Sequence, residues 1–329
     1  MVLPKFDYHS PTSLDDAVSW LAEHHCESSG VKILAGGTDL LVELRGKVIP
    51  DGHRPRCQEH RSGPWLARHK PVPPPRWLLA LSRIPELRGI QVDGSHIRIG
   101  AMTTHTALER SPIIAEYLPG LRDGAMQLGS PLCRNRGTYG GNLCNARPAA
   151  DTAIPTLALD GKLALVSVRG ERTVALSDFI IGPGQTAIQP DEILKEIRFN
   201  VFPLERDGLI RSSAYIKLGN RKALEIAVVG AAAALTFKDG AVASARIALG
   251  AVAPYPLLVK DVGESLAGQP LSKDTINRAA EIAADTARPI TDHRGGAEYR
   301  MVMVAVLVRR VLNRCRERAL AIASGEVTV

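Results

Sequence analysis

Two short stretches of this 329-residue chain combine glycine with small hydroxyl and amide side chains. The longer is Arg134–Asp151, RNRGTYGGNLCNARPAAD, in which Gly137, Gly140 and Gly141 interrupt Thr138, Asn142 and Asn145. Neither a helical nor a strand period runs through it, so it reads as a glycine-rich loop. Such a loop presents backbone N–H groups with no Cβ in the way, which suits a phosphate or a flat polar cofactor. It would serve equally well as a connection at a domain edge. Asp151 stands where it can N-cap the apolar run Ala153–Leu159, and where it could accept bonds from ligand hydroxyls.

The second stretch is Ala35-Gly36-Gly37-Thr38-Asp39, between the apolar run Val31–Leu34 and the helix-like Leu40–Leu44. Strand, Gly-Gly turn and helix start present free N–H groups to an anion. Neither G-x-G-x-x-G nor G-x-x-x-x-G-K-[ST] is present, so the usual dinucleotide and nucleoside-triphosphate motifs are absent. Two phosphate-type turns in one chain suit one dinucleotide with two phosphates. Nothing forms a nucleophilic triad, a carboxylate pair or a zinc site. His105, at the start of a short helix, reads as a surface or capping residue, and His293 as structural.

AGGTDLL at Ala35–Leu41 with TYGGNLCNARPAAD at Thr138–Asp151 resembles the FAD-binding subunit of the molybdenum hydroxylases, the xanthine dehydrogenase and carbon monoxide dehydrogenase group. The resemblance runs over nearly the whole chain. It implies an α+β fold: a two-subdomain FAD-binding domain over 1–203, divided near residue 80, then a small α+β domain over 204–329 with a three-stranded antiparallel sheet. It implies non-covalent FAD held by Leu34, Ala35, Gly36, Gly37, Thr38, Asp39, Leu40, Thr138, Gly140, Gly141, Asn142, Cys144, Asp151, Ile193, Leu194 and Lys217. In that scheme Ala35–Asp39 and Thr138–Asn142 hold the pyrophosphate, and Asp151 bonds the ribityl or ribose hydroxyls. Ile193 and Leu194 pack on the flavin, and Lys217 lies near the ring. Plain core burial for the first two and a solvated strand end for Lys217 are the alternative readings. The implied partners are a [2Fe–2S] small subunit and a molybdopterin large subunit in a dimer of heterotrimers, with NAD, a quinone or another external acceptor. A self-contained FAD-dependent oxidoreductase with its own small substrate is the alternative. Some relatives carry an iron–sulfur cluster in an insertion after the second motif; here Cys144 runs directly on to Asp151, and Cys133 and Cys144 read as structural or flavin-adjacent.

The elements that must position these turns follow from periodicity. Leu14, Ala17, Val18 and Leu21 share one face of a helix over Leu14–His24, with Ser13 as N-cap. Strands are expected at Val31–Leu34 and Trp77–Leu81, then a hairpin of Gly89–Val92 and His96–Ala101 across Asp93-Gly94. Short helices are expected at Thr104–Glu109 and Leu121–Leu128. Lys162–Val168, Arg172–Leu176 and Glu196–Asn200 read as strands. Within the first of these units lies His53–Pro75, a basic, proline-rich stretch read as an inserted surface loop. Past a boundary near Phe202-Pro203-Leu204, strands Ser212–Leu218, Ala227–Phe237 and Ala243–Leu249 precede helices Thr275–Thr286 and Arg300–Ala321.

Composition narrows the classes. The net charge is +7, but it is diffuse and aromatic residues are only 4% of the chain, which poorly supplies a nucleic-acid stacking platform. No apolar run is long enough to span a bilayer. The N-terminus lacks the pattern of a secretory signal, and five scattered cysteines without C-x-x-C spacing fit a reducing cytoplasm.

Overall fold

A computed structural model describes residues 3–25, 30–47, 75–200, 205–206 and 208–325. Apart from Pro75, the expected proline-rich loop lies outside the described residues, as does the expected boundary at Phe202–Leu204.

The first unit is a three-stranded parallel sheet in the order Asp7–His9, Trp77–Ala80, Val31–Leu34. Helix Leu14–His24 covers it with Leu14, Ala17, Val18 and Leu21, the face expected from the periodicity. Its N-terminus is capped by Ser13, whose Oγ accepts from the Asp16 N–H at 3.2 Å.

The second unit is a five-stranded antiparallel sheet in the order Ile90–Asp93, His96–Gly100, Ile193–Asn200, Lys162–Ser167, Gly170–Ala175. The hairpin turn is where it was expected: Asp93 pairs with His96, and Gly94 has φ +58°. Helices between residues 105 and 158 cover one face through Leu108, Ile114, Leu121, Tyr139, Leu143 and Ile154.

The stretch 134–151 departs from its sequence reading. It folds mostly as helix, Pro131–Arg136 ending within it and Tyr139–Asn145 following. Glycine costs about 1 kcal/mol in a helix interior, but these short helices are fixed by caps and packing. The Ser130 and Thr138 hydroxyls accept from the Cys133 and Gly141 N–H groups. A Cβ on Gly140 would lie 2.6 Å from the Ala101 Cβ, so only glycine admits this approach. Asp151 is not the cap of helix Ala153–Ala158; that place belongs to Thr152.

The third unit carries three long antiparallel strands, Leu209–Leu218, Val229–Lys238 and Ala241–Gly250, with two-residue strands Glu205–Arg206 and Leu257–Leu258 at its edges. The expected three-stranded core is thus widened to five by its margins. Asp239 and Gly240, at φ +50° and +80°, make the tight hairpin turn. One face packs on helices Lys273–Thr286 and Ala297–Ala323. The other receives Ile154 from the second unit. Gly250 makes room for it: a Cβ there would meet the Ile154 Cδ1 at 2.0 Å. Near the end of the last helix, Arg318 clasps Asp123 of the second unit with two bonds of 2.8 and 2.9 Å.

Candidate functional site

Between the first and second units lies a cleft of about 540 Å³, a size usual for ligand sites. Its wall includes Ala35, Gly36, Gly37, Thr38, Asp39 and Leu40 on one side. Thr138, Gly140, Gly141, Asn142 and Cys144 stand on the other, with Ile193 and Leu194 at the sheet. Residues separated by a hundred positions are therefore brought to one surface.

Gly36 is the point of closest approach. A Cβ there would sit 2.1 Å from the Arg136 carbonyl oxygen, so any larger residue forces the two stretches apart. Gly37 has φ +76°, a left-handed backbone that side chains resist. The turn leaves the N–H groups of Gly36, Gly37, Thr38 and Asp39 with no acceptor among the described residues. Polar backbone groups at a cleft wall need partners, and these four immediately precede the start of helix Leu40–Lys47.

The second stretch uses its amides differently. Tyr139 and Gly140 donate to the Thr103 and Ala101 carbonyls, both at 2.8 Å. Gly141 donates to its own cap, Thr138 Oγ1, and Asn142 to the Thr138 carbonyl. Asn142 Oδ1 accepts from the Thr152 hydroxyl at 2.7 Å, which leaves its NH₂ as the polar group it can offer a ligand. This side supplies close approach, a hydroxyl and an amide rather than a bank of free backbone donors.

Three residues expected at the cofactor stand behind the wall. Leu34 turns its Cδ1 under Gly37. Asp151 is buried, its carboxylate accepting from the Tyr215 hydroxyl at 2.8 Å and the Lys217 ammonium at 2.7 Å. Burial pushes the Asp151 carboxyl up, and the Lys217 charge and both bonds pull it back. Lys217 also donates to the Gln127 carbonyl at 3.1 Å, next to Leu128, which does line the cleft. Cys144 borders the cleft while its thiol is enclosed, and burial pushes it up to about 12. A thiol so held is a wall atom, not a nucleophile. Cys133 lies under Gly129.

Sequence reading missed His105 and Arg147. His105 is 2% exposed, not a surface residue, and borders the cleft where its ring edge and the Thr38 hydroxyl meet over Gly137. Burial lowers it to about 4, so the ring is neutral, and its Nδ1 has no partner among the described residues. Threonines on either side disguised it. Arg147 reaches across the cleft mouth to Glu43 at 2.5 Å. Its pairing partner lies 104 positions away, and no local pattern signals it.

These features fit a dinucleotide. The cleft is lined by glycine and amides without an acceptor among the described residues, and by aliphatic side chains of the sheet. Residues 65–201 match the family described as the FAD binding domain in molybdopterin dehydrogenase, and residues 214–315 match the CO dehydrogenase flavoprotein C-terminal domain. The chain is 32% identical over 322 residues to a xanthine dehydrogenase FAD-binding subunit of Escherichia coli O157:H7, covering 97% of this chain and 98% of the relative. It is 33% identical to the carbon monoxide dehydrogenase medium chain of Hydrogenophaga pseudoflava, covering 95% and 98%. A solved carbon monoxide dehydrogenase from Hydrogenophaga pseudoflava superposes with TM-score 0.82 at 33% identity, over 97% of this chain and 100% of that one. Quinoline 2-oxidoreductase from Pseudomonas putida 86 gives 0.81 at 26% identity, over 97% and 99%. The chain belongs to the FAD-binding medium subunits of the molybdenum hydroxylases, an oxidoreductase family, and its cofactor is FAD.

Proposed function

We propose that this chain is an electron-transfer subunit that receives electrons from a [2Fe–2S] partner chain and delivers them to an external acceptor. The observation that carries this reading is the cleft itself, with four unpaired N–H groups at Gly36, Gly37, Thr38 and Asp39 facing small residues of the second stretch. FAD, when bound, supplies a ring that takes up electrons singly and releases them singly or as a hydride. The residues of this chain bind and orient it. In this reading the Ala35–Asp39 amides hold phosphate, Thr138 and Asn142 add side-chain donors, and Ile193 and Leu194 give the ring an apolar seat. Cys144 and Leu40 complete the wall.

Lys217 and Asp151 act from behind that wall. A buried ammonium near the ring favours the anionic reduced cofactor and raises its potential. Lys217→Ala is expected to lower the flavin potential in a spectroelectrochemical titration while FAD remains bound. An unchanged potential would remove Lys217 from the electronic role.

The molybdopterin-bearing large chain completes the complex in this reading, with the subunits arranged as a dimer of heterotrimers. NAD, a quinone or a comparable carrier is the acceptor. Among the described residues no helix is long and apolar enough to cross a membrane, and no group of three His, Cys, Asp or Glu is arranged to hold a metal ion. The unpaired Cys133, Cys144 and Cys315 agree with the cytoplasmic placement we propose. Anaerobic stopped-flow bleaching of the flavin tests the relay. The chain alone should not bleach with purine, aldehyde or aromatic substrates, and adding the partner chains should restore bleaching by one substrate class. Rapid bleaching of the chain alone would instead support a self-contained oxidoreductase.

A further inference from the structure

The cleft poses an electrostatic problem. A dinucleotide brings two phosphate charges to a turn that ends in Asp39, with Glu43 one helical turn beyond, and both carboxylates line the same wall. The unpaired amides supply partial positive charge only. Glu192 adds no open charge to the balance, because Arg172 grips it with bonds of 2.6 and 2.8 Å and the Gln189 N–H donates to it at 2.7 Å. Two cationic side chains line the cleft, Lys32 and Arg147, and Arg147 is the one that pairs with Glu43 and acts on Asp39.

Its position is built. Ala146 is buried with φ +48° and ψ +43°, a left-handed residue that ends helix Tyr139–Asn145 and turns the chain back toward the cleft. The Gly184 N–H donates to the Ala146 carbonyl at 2.9 Å, and the Ala150 N–H to the Arg147 carbonyl at 3.1 Å, so the backbone on both sides is held. The guanidinium passes Gly184 and meets Glu43 at 2.5 Å, with both side chains about half exposed. Burial pushes the Asp39 carboxyl up; the field of Arg147 draws it part of the way back, and Glu43 adds to the rise. A guanidinium is suited to phosphate through paired N–H donors.

We propose that Arg147 is the counter-charge for the phosphates of the bound dinucleotide, and that Glu43 occupies the guanidinium only until the phosphates arrive. This rests on the cleft being the FAD site. Glu43 is then a competitor whose partner is exchanged on binding, not a brace for the bound state. An exposed ion pair of this kind is weak, so the exchange is easy.

The test is equilibrium binding of FAD, followed by flavin fluorescence, to the deflavinated full chain. Arg147→Gln should weaken FAD about tenfold, the worth of one charge-assisted contact, and should flatten the salt dependence seen in the parent protein. Riboflavin, which has no phosphate, should bind the parent and Arg147→Gln equally. Glu43→Gln should bind FAD as tightly as the parent or more tightly, and any gain should vanish in the Glu43→Gln, Arg147→Gln double variant. Weaker FAD binding by Glu43→Gln would overturn the exchange, and so would an Arg147→Gln variant with unchanged affinity and salt slope. Equal weakening toward FAD and riboflavin would mark a general folding defect and overturn the assignment to phosphate. Gly36→Val separates the cleft from its counter-charge. If it still binds FAD normally, the cleft reading fails; if it loses FAD while Arg147→Gln binds normally, only the role of Arg147 fails.

Discussion

The turn Ala35–Asp39 and the helix start Thr138–Asn142 are written in nearly the same residues, a glycine pair with threonine and a short polar side chain. They do different work. The first follows a strand end with no carbonyl placed to receive its amides, and four N–H groups stay unpaired among the described residues. In the second, the Tyr139 and Gly140 amides go to the carbonyls of Thr103 and Ala101, and those of Gly141 and Asn142 to Thr138 in the helix's own first turn. In the first, Gly37 is required by its left-handed backbone; in the second, Gly140 is required by the closeness of Ala101. A glycine pair therefore does not by itself mark an anion site. The count of where each amide goes separates the two.

The sharpest way to break this comparison is Gly36→Val. With the Arg136 carbonyl 2.1 Å from the new Cβ, the two stretches must separate, and FAD content should fall to none while the third unit keeps its thermal transition. Full flavin occupancy in that variant would show that the stretches need not touch.

His105, wedged between the two stretches, gives the next largest effect. Unfolded, it takes a proton near its ordinary 6.5; folded, it resists until about 4. The unfolded state therefore binds more protons between these values. Its contribution to stability is level above about 6.5 and shrinks as pH falls toward 4, by about 3 kcal/mol in all. Urea denaturation of the parent and His105→Gln across that window should differ in slope, the variant being the flatter. Parallel curves would mean that the ring is not held neutral.

Gly140→Ala probes packing without phosphate. A Cβ 2.6 Å from the Ala101 side chain and 2.8 Å from its carbonyl should cost about 2 kcal/mol. FAD affinity measured well below the midpoint should be little changed. A selective loss of FAD would move this stretch into the same class as the first. The smallest effect is expected for Thr138→Ala, which removes the cap on Gly141 and should lower stability by about 1 kcal/mol in a thermal melt. No loss at all would mean that water caps that end as well as the hydroxyl does.

Legibility in the sequence follows the range of the interactions. The Ser13 cap, the face Leu14–Leu21 and the turn at Gly94 all depend on neighbours within a few positions, and all were readable. The Gly-Gly turn at residue 36 was readable because strand and helix flank it directly. The helix Tyr139–Asn145 was not, since its glycines disfavour helix locally and the carbonyls of Ala101 and Thr103, which offset that cost, lie well back along the chain. Asp151 looked like a cap because the acceptor of a helix start and the acceptor of a distant lysine are the same chemical group. Its true partners, Tyr215 and Lys217, lie 64 and 66 positions on. His105 and Arg147 belong to the same class, each given its character by residues far along the chain.

The clasp of Arg318 on Asp123 bears on the order in which the chain becomes finished during translation. Asp123 sits in a helix of the second unit, 8% exposed, and takes both guanidinium bonds as well as the Tyr215 N–H. Its partner is synthesised 195 residues later. A nascent chain can pair the strands of the second sheet and still lack the charge that this buried carboxylate meets in the finished fold. With Arg318 in place, the helix carrying Asp123 is bonded to the last helix of the third unit. The second and third units are thus tied together by a residue made only after both of their sheets.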